Sequence, residues 1–536
     1  MKTNHIFKYW PIAVGVAFAV ACTDTWDEHY SGERVASDKT LLQLVEEAGD
    51  LGDFLRVLKS THVFSNNKPT DITYADLLNS DQTFTVWAPK DGTFNVDSLL
   101  AGCQTVSGDS SCGQHFVQNH IAHYVTNNSE ADTKKIIMLN SKYLDVKSGS
   151  FHGAPYVSGR SNIPAKNGLL HVLQHEAPYI YNVYEGTTSL PQFSHVGSFF
   201  KSYEKLELDE NSSIQSGIVD GQIIYSDSVM YRSNILFSTF ERINEEDSSY
   251  IMLMPDARIW KKVYEEALGH FNYGMANKAD SLQRYWANVS LVRDLVYNRN
   301  VGCLHMADSV YSTSYNIYDE ERHHIYYKPL QPGGIFSSTY VRDSMECSNG
   351  VIYELSDWPF TAEQIYFFPV KTEAEIESML MDYKLCVPSY MSAVSDSVSD
   401  GYLDIRQSSS SANWTVDFQV PDVLSGTYDI CAVVLPKTVA NPNSRDFKPN
   451  KFKATLTYET PEGTRESHAF EDDCTNDPYR VDTVLIGRFT IPVCSYGQPN
   501  AVVRLQLECN IGRRETQYSR EMYLDCLYFK PVKEEE

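Results

Sequence analysis

Eleven cysteines, fifteen histidines and seventy acidic residues give this 536-residue chain ample material for metal, redox or acid–base chemistry. Their spacing supports little of it. No Cys-x-x-Cys pair occurs, so neither a zinc ribbon nor a dithiol redox site is expected. His-Glu-x-x-His, Gly-x-Ser-x-Gly, phosphate-loop and EF-hand spacings are absent as well. His115, His120 and His123 share one helix-like segment, and His323-His324 sits in a Tyr-rich, strand-like one; packing accounts for both groups. Cys103 and Cys112 flank a Gly/Ser-rich loop and make the expected disulfide. Residues Glu471 to Asp477 (EDDCTND) group side-chain oxygens that could hold calcium, a hard cation, or simply form an acidic surface loop. Tyr402, Trp414 and Tyr428 lie on predicted strands, where rings either stack on sugars or fill a core; Trp414 is assigned to the core. On this chemistry no enzyme, cofactor or resident metal is expected.

Composition narrows the partners. Forty-five basic residues against seventy acidic ones give a net charge of −25, with a pI near 5.0, which argues against nucleic acid. Length alone suggests about three or four domains. Residues 1–21 read as an export leader: Lys2 and Lys8 precede the apolar run Pro11 to Ala21, which is shorter than the ~20 residues a membrane-spanning helix needs. The sequence Ala19-Val20-Ala21-Cys22 resembles the lipobox of bacterial lipoproteins. That resemblance implies acyl chains on Cys22, hence anchoring to the outer membrane. Asp24, Asp27 and Glu28, in an acidic tether over 22–37, resemble the surface-export signal of some Gram-negative lipoproteins and imply exposure at the cell surface. After Cys22 ten cysteines remain, an even number that suits an oxidising compartment. Asp-Ser-apolar triplets at Asp97, Asp227, Asp280, Asp308 and Asp396 resemble O-glycosylation acceptors of exported Gram-negative proteins, and fit helix caps and turns equally well.

The elements that follow carry a further resemblance. Residues 38–60 show helical periodicity, with Thr40 and Gln43 spaced for a capping box and Gly49 and Gly52 marking a bend. Thr83 to Phe94 (TFTVWAPKDGTF) is a strand ended by Pro89, with Asp91 placed to cap a following helix. Phe116 to Tyr124 (FVQNHIAHY), Lys135 to Val146 (KIIMLNSKYLDV) and Asn167 to Leu173 (NGLLHVL) come next. In this order the motifs resemble a fasciclin domain over 38–190. The resemblance implies structural roles for Pro89, Asp91, Asn167, Gly168 and His171, and for one of His123 and Tyr124, where the family has Tyr-His and this chain has His-Tyr.

Ser249 to Ala257 (SYIMLMPDA) and Ser348 to Leu355 (SNGVIYEL) resemble the first and last motifs again and imply a degenerate second copy over 195–372. From 385 to 533 the pattern becomes short alternating strands, beginning with Trp414 to Val420 (WTVDFQV), and resembles a galactose-binding-like jelly roll. The expected fold is therefore α+β fasciclin-like domains in tandem followed by an all-β sandwich. The family resemblance implies adhesion or assembly, as an accessory subunit of a TonB-dependent glycan importer. A glycan-binding lipoprotein acting through the sandwich, or an adhesin for host or neighbouring cells, are the alternatives.

Overall fold

The structure is a computed structural model that describes residues 37–533 except 66, 129–132, 220–221, 276–278, 317–318, 393–400 and 499–502. Cys22, Asp24, Asp27, Glu28 and the Asp396 triplet lie outside the described residues. The chain divides into two compact units, one of residues up to 180 with 206–231, the other of 181–205 with 232–536.

In the first unit Thr40 caps the helix Leu41–Glu47 in a reciprocal box with Gln43. A bend at Gly49 leads to the second helix, Gly52–Ser60. Their apolar faces, with Leu41, Val45, Phe54, Val57 and Leu58 buried, lie on one core with Phe84, Val86, Leu170 and Val172. Burying each such side chain contributes about 1.5–3 kcal/mol. The sheet beneath has the order Ile121–His123, Phe84–Pro89, Gly168–Leu173, Ile163–Ala165. Its central pair is parallel, with Gly168 opposite Phe84 and Leu173 opposite Pro89. A small meander over Lys134–Pro155 closes a second cluster, in which Trp87 stacks on Phe151 at 4.4 Å and on His171 at 5.4 Å.

The second unit repeats that sheet. Its order is Val296–Asn298, Tyr250–Pro255, Gly350–Leu355, Val341–Cys347, again with a parallel central pair, Gly350 opposite Tyr250 and Leu355 opposite Pro255. The repeat begins at Asn182, which caps the helix Val183–Ser189, rather than near 195. That helix is too short to register as a period. The sandwich begins at Val370 rather than 385, because Val370–Glu373 pairs antiparallel with the last strand, Met522–Pro531. A strand reading Val-Lys-Thr-Glu gives no hydrophobic signal.

The two sandwich sheets have five strands each in their main paths. One runs Cys386–Ser392, Gly401–Gln407, Met522–Pro531, Gly426–Leu435, Asp482–Ile491; the other runs Leu380–Lys384, Thr415–Gln419, Arg504–Cys509, Lys451–Glu459, Arg465–Ala469. Within this unit the second repeat and the sandwich share one core. Tyr273 donates to the carbonyl of Tyr496 at 3.0 Å, Asn272 Nδ2 donates to that of Pro492 at 3.2 Å, and Phe367 meets Tyr428 edge-on at 5.3 Å. No helix among the described residues is long and apolar enough to cross a membrane.

Candidate functional site

Of the residues that the fasciclin resemblance singled out, Asn167, Gly168 and His171 are built into the scaffold. Asn167 is buried; its Oδ1 accepts from Leu41 N at 2.8 Å, and its Nδ2 donates to the carbonyls of Leu78 and Ser80 at 2.9 and 2.7 Å. Asn349 repeats this, accepting from Val183 N at 2.8 Å and donating to Ile243 and Glu245, each at 2.9 Å. One amide in each repeat thus ties the first helix to the loop before the central strand. The glycine after it sits at φ +148° (Gly168) or +153° (Gly350), and a Cβ there would lie 1.7 or 2.0 Å from the facing strand's carbonyl oxygen. Only glycine fits.

His171 is buried, with Nε2 donating to Thr126 O at 3.0 Å and Nδ1 accepting from Asn162 N at 3.3 Å. Burial pushes it down to about 4, so it is neutral. Neither His123 nor Tyr124 is buried; the buried, hydrogen-bonded histidine of this segment is His120. His123 is exposed and stacks on Phe84 at 5.5 Å, while Tyr124 is 77% exposed at φ +66°. His120 is fully buried; its Nδ1 donates to Phe116 O at 2.8 Å, its Nε2 accepts from Ala177 N at 3.0 Å, and burial pushes it down to about 4. The helical segment ends at His120, and the strand Ile121–His123 that follows buries Ile121 and Ala122 and leaves His123 at its exposed end. Asp91 accepts from Asp53 N at 2.7 Å, so it caps the preceding helix Gly52–Ser60 and not a following one. Gly92, at φ +71°, turns the chain away first. In the second repeat Asp256 does cap the following helix, Ala257–His270.

Cys103 and Cys112 are free thiols here rather than a bridge. Both converge on Thr61 Oγ1, at 3.5 and 3.4 Å. Burial pushes Cys112 up to about 12. The ten described cysteines form no disulfide and are mostly buried, as small hydrophobes are.

In the sandwich, Trp414 and Tyr428 lie in the main core and Tyr402 in a separate cluster with Leu435, Val439 and Tyr523, at 1%, 0% and 1% exposure, so none forms a sugar platform. The acidic loop at 471–477 does not converge. Asp473 is taken by Lys451 and Asn510, and Asp477 by Arg480 and the Tyr479 N–H. The oxygens gather elsewhere. Ligand atoms of Glu373, Asp525 and Cys526 lie within 4.8 Å of one another. Glu373 Oε2, Glu375 Oε2 and Asp525 Oδ1 are buried without a hydrogen-bond partner. Burial, then the charges of Glu373 and Asp525, raise the Glu375 carboxyl. Lys371 Nζ, 2.7 Å from Glu373 and 4.0 Å from Asp525, offsets one charge of three. Such a set could hold a hard divalent cation. A Glu-x-Glu pair before the first sandwich strands and a lone Asp inside the apolar last strand were the available sequence signals.

The outward face of the second sheet is the candidate ligand surface. Val416, Phe418, Leu505, Leu507, Phe452 and Leu456 point in, leaving the alternate residues outside. One cross-strand row runs Asp382, Asp417, Gln506, Thr455; the adjacent row runs Gln419, Arg504, Thr457. Arg504 stands 3.7 Å from Asp417, whose carboxyl burial raises. Carboxylate, amide, hydroxyl and guanidinium groups thus recur at the strand spacing of about 4.8 Å.

No family model matches the chain, and no curated protein does. Among solved structures it is similar to a FAS1 domain pair of the insect cell-adhesion molecule fasciclin I, at 12% identity over 53% of this chain and 90% of that one, TM-score 0.20. It is also similar to a CBM22 xylan-binding domain from Paenibacillus barcinonensis (12% identity, 32% of this chain and 96% of that one, TM-score 0.21). A family 22 carbohydrate-binding module of Clostridium thermocellum aligns at 13% identity, 30% of this chain and 92% of that one, TM-score 0.19. Likeness at this level assigns this chain neither a family nor a ligand.

Proposed function

We propose that the protein is a non-catalytic lipoprotein of the outer membrane, held at the cell surface by acyl chains on Cys22, that serves as an accessory subunit of a TonB-dependent glycan importer. The lipobox-like run before Cys22 and the acidic residues Asp24, Asp27 and Glu28 support the address. A single myristoyl-type chain binds membranes reversibly, whereas two or more hold stably. Tethering modules beside a transporter raises effective concentration without tight binding. The observation that carries the glycan half is the outward face around Asp417, Gln506 and Arg504, whose two rows of hydrogen-bonding groups match a polyhydroxylated chain laid across strands. A divalent cation at Glu373 and Asp525 would brace the strand that begins the sandwich against the last one.

Pull-down of the tagged protein from mild detergent tests the reading. Co-purification of a TonB-dependent transporter is expected, and its repeated absence would remove the accessory role. The second reading keeps the glycan and drops the transporter: the same face then acts alone. Calorimetry of the full chain against a polysaccharide panel separates them, because heat without a co-purifying transporter favours the second.

A further inference from the structure

The second repeat holds a cavity of about 690 Å³, bounded by Phe237, Glu241, Asn298, Tyr311, Tyr315 and His323. That size falls inside the ~300–1,000 Å³ of small-molecule sites. One wall is aromatic. His323 stands between two tyrosines, its ring centroid 4.4 Å from Tyr315 and 5.2 Å from Tyr311. Tyr315 is 49% exposed, and Val301 and Ile325 at the mouth are exposed by half, so apolar surface faces water along this wall. The other wall is polar. Glu241 sits at φ +61°, an uncommon conformation for a non-glycine residue, and its carboxylate accepts from Asn298 Nδ2 at 2.7 Å. Ser238 and Thr239 complete that side.

The charge inventory selects among ligands. Among the described residues the lining contains no Lys or Arg, so a phosphate, sulfate or uronate would meet a carboxylate with no counter-charge. The single carboxylate already accepts from an amide and has acceptor capacity left for a sugar hydroxyl. The half-exposed apolar wall opposite it matches a neutral molecule with an apolar face and several hydroxyls. We propose that this cleft binds a neutral saccharide, with a sugar ring against Tyr315 and His323 and its hydroxyls toward Glu241 and Asn298. The ligand class is that of the reading above, but the site is a different one, so the two fail separately.

The test uses the full chain with Cys22→Ser on an array of neutral oligosaccharides (maltohexaose, xylohexaose, mannohexaose, a fructan) and anionic ones, followed by calorimetry on each hit. Tyr315→Ala and Val301→Trp change half-exposed positions, so the fold should persist; the second fills the mouth and removes no buried contact. Binding of a neutral oligosaccharide is expected, weakened at least tenfold by each variant and still measurable in Asp417→Asn/Arg504→Ala. A blank array, hits restricted to anionic glycans, or binding indifferent to both cleft variants would overturn the cleft. Complete loss in the Asp417/Arg504 variant would also overturn it while leaving the sandwich reading standing.

Discussion

Glu375→Gln is expected to stabilise the protein without divalent cation and to weaken its stabilisation by calcium. Two carboxylate oxygens about 4.8 Å apart repel by roughly 3 kcal/mol at an effective dielectric near 20. Glu373 and Asp525 meet there beside Lys371, and the charges of both act on Glu375. Since burial and its neighbours raise Glu375, the folded chain keeps a proton that the unfolded chain has released. Metal-free stability therefore falls as pH rises above the ordinary glutamate value of 4.5. A bound divalent cation reverses the sign. At a free concentration of about a hundred times Kd it adds about 2.7 kcal/mol, which for a unit of this size raises Tm by about 4 °C. Scanning fluorimetry of wild type and variant, with calcium and with EDTA between pH 5 and 8, reads all of this. Identical melting with and without calcium, or a Glu375→Gln variant less stable in EDTA, would refute the reasoning.

Four further outcomes follow from the same geometry. Gly168→Ala places a Cβ 1.7 Å from Phe84 O and should cost at least about 3 kcal/mol, leaving the first unit protease-sensitive; a native-like digest would count against it. His120 and His171, neutral and near 4 when folded against 6.5 ordinarily, contribute stability present above pH 6.5 and lost as pH falls toward 4. The loss reaches roughly 3 kcal/mol apiece, and a urea midpoint flat across that window would contradict it. Cys103 and Cys112 each contact Thr61 Oγ1 without being linked to each other, so peptide mapping without reductant should yield the two thiols on separate, alkylatable peptides; a linked 103–112 peptide would contradict it. Asp417→Asn/Arg504→Ala should move folding stability by less than about 1 kcal/mol yet weaken polysaccharide binding at least tenfold, and unchanged binding would sink the sheet face as the ligand surface.

Much of the scaffold could be read from sequence because it rests on local rules. The Thr40–Gln43 box, the bend at Gly49 and the Asn-Gly pairs are short-range signals, and the structure gives each a hydrogen bond or a φ angle that explains it. His120 was hidden because the partner that sets it apart, Ala177 N, lies 57 residues along the chain. The Glu373–Asp525 cluster joins the first and last sandwich strands, a pairing no local pattern predicts. Tyr402, Trp414 and Tyr428 show the converse limit, since alternation places a ring on one face without saying which face is inside. The aromatic cleft depends on Tyr315 meeting His323 across a hairpin whose register is irregular, which sequence spacing does not encode.

Intact-mass and peptide mass spectrometry of the protein recovered from its native membrane bears most directly on the account. The expected product begins at Cys22, carries acyl chains on that residue, and is shaved from intact cells by added protease. A mature N-terminus without lipid, or a chain protected until the cells are lysed, would contradict it.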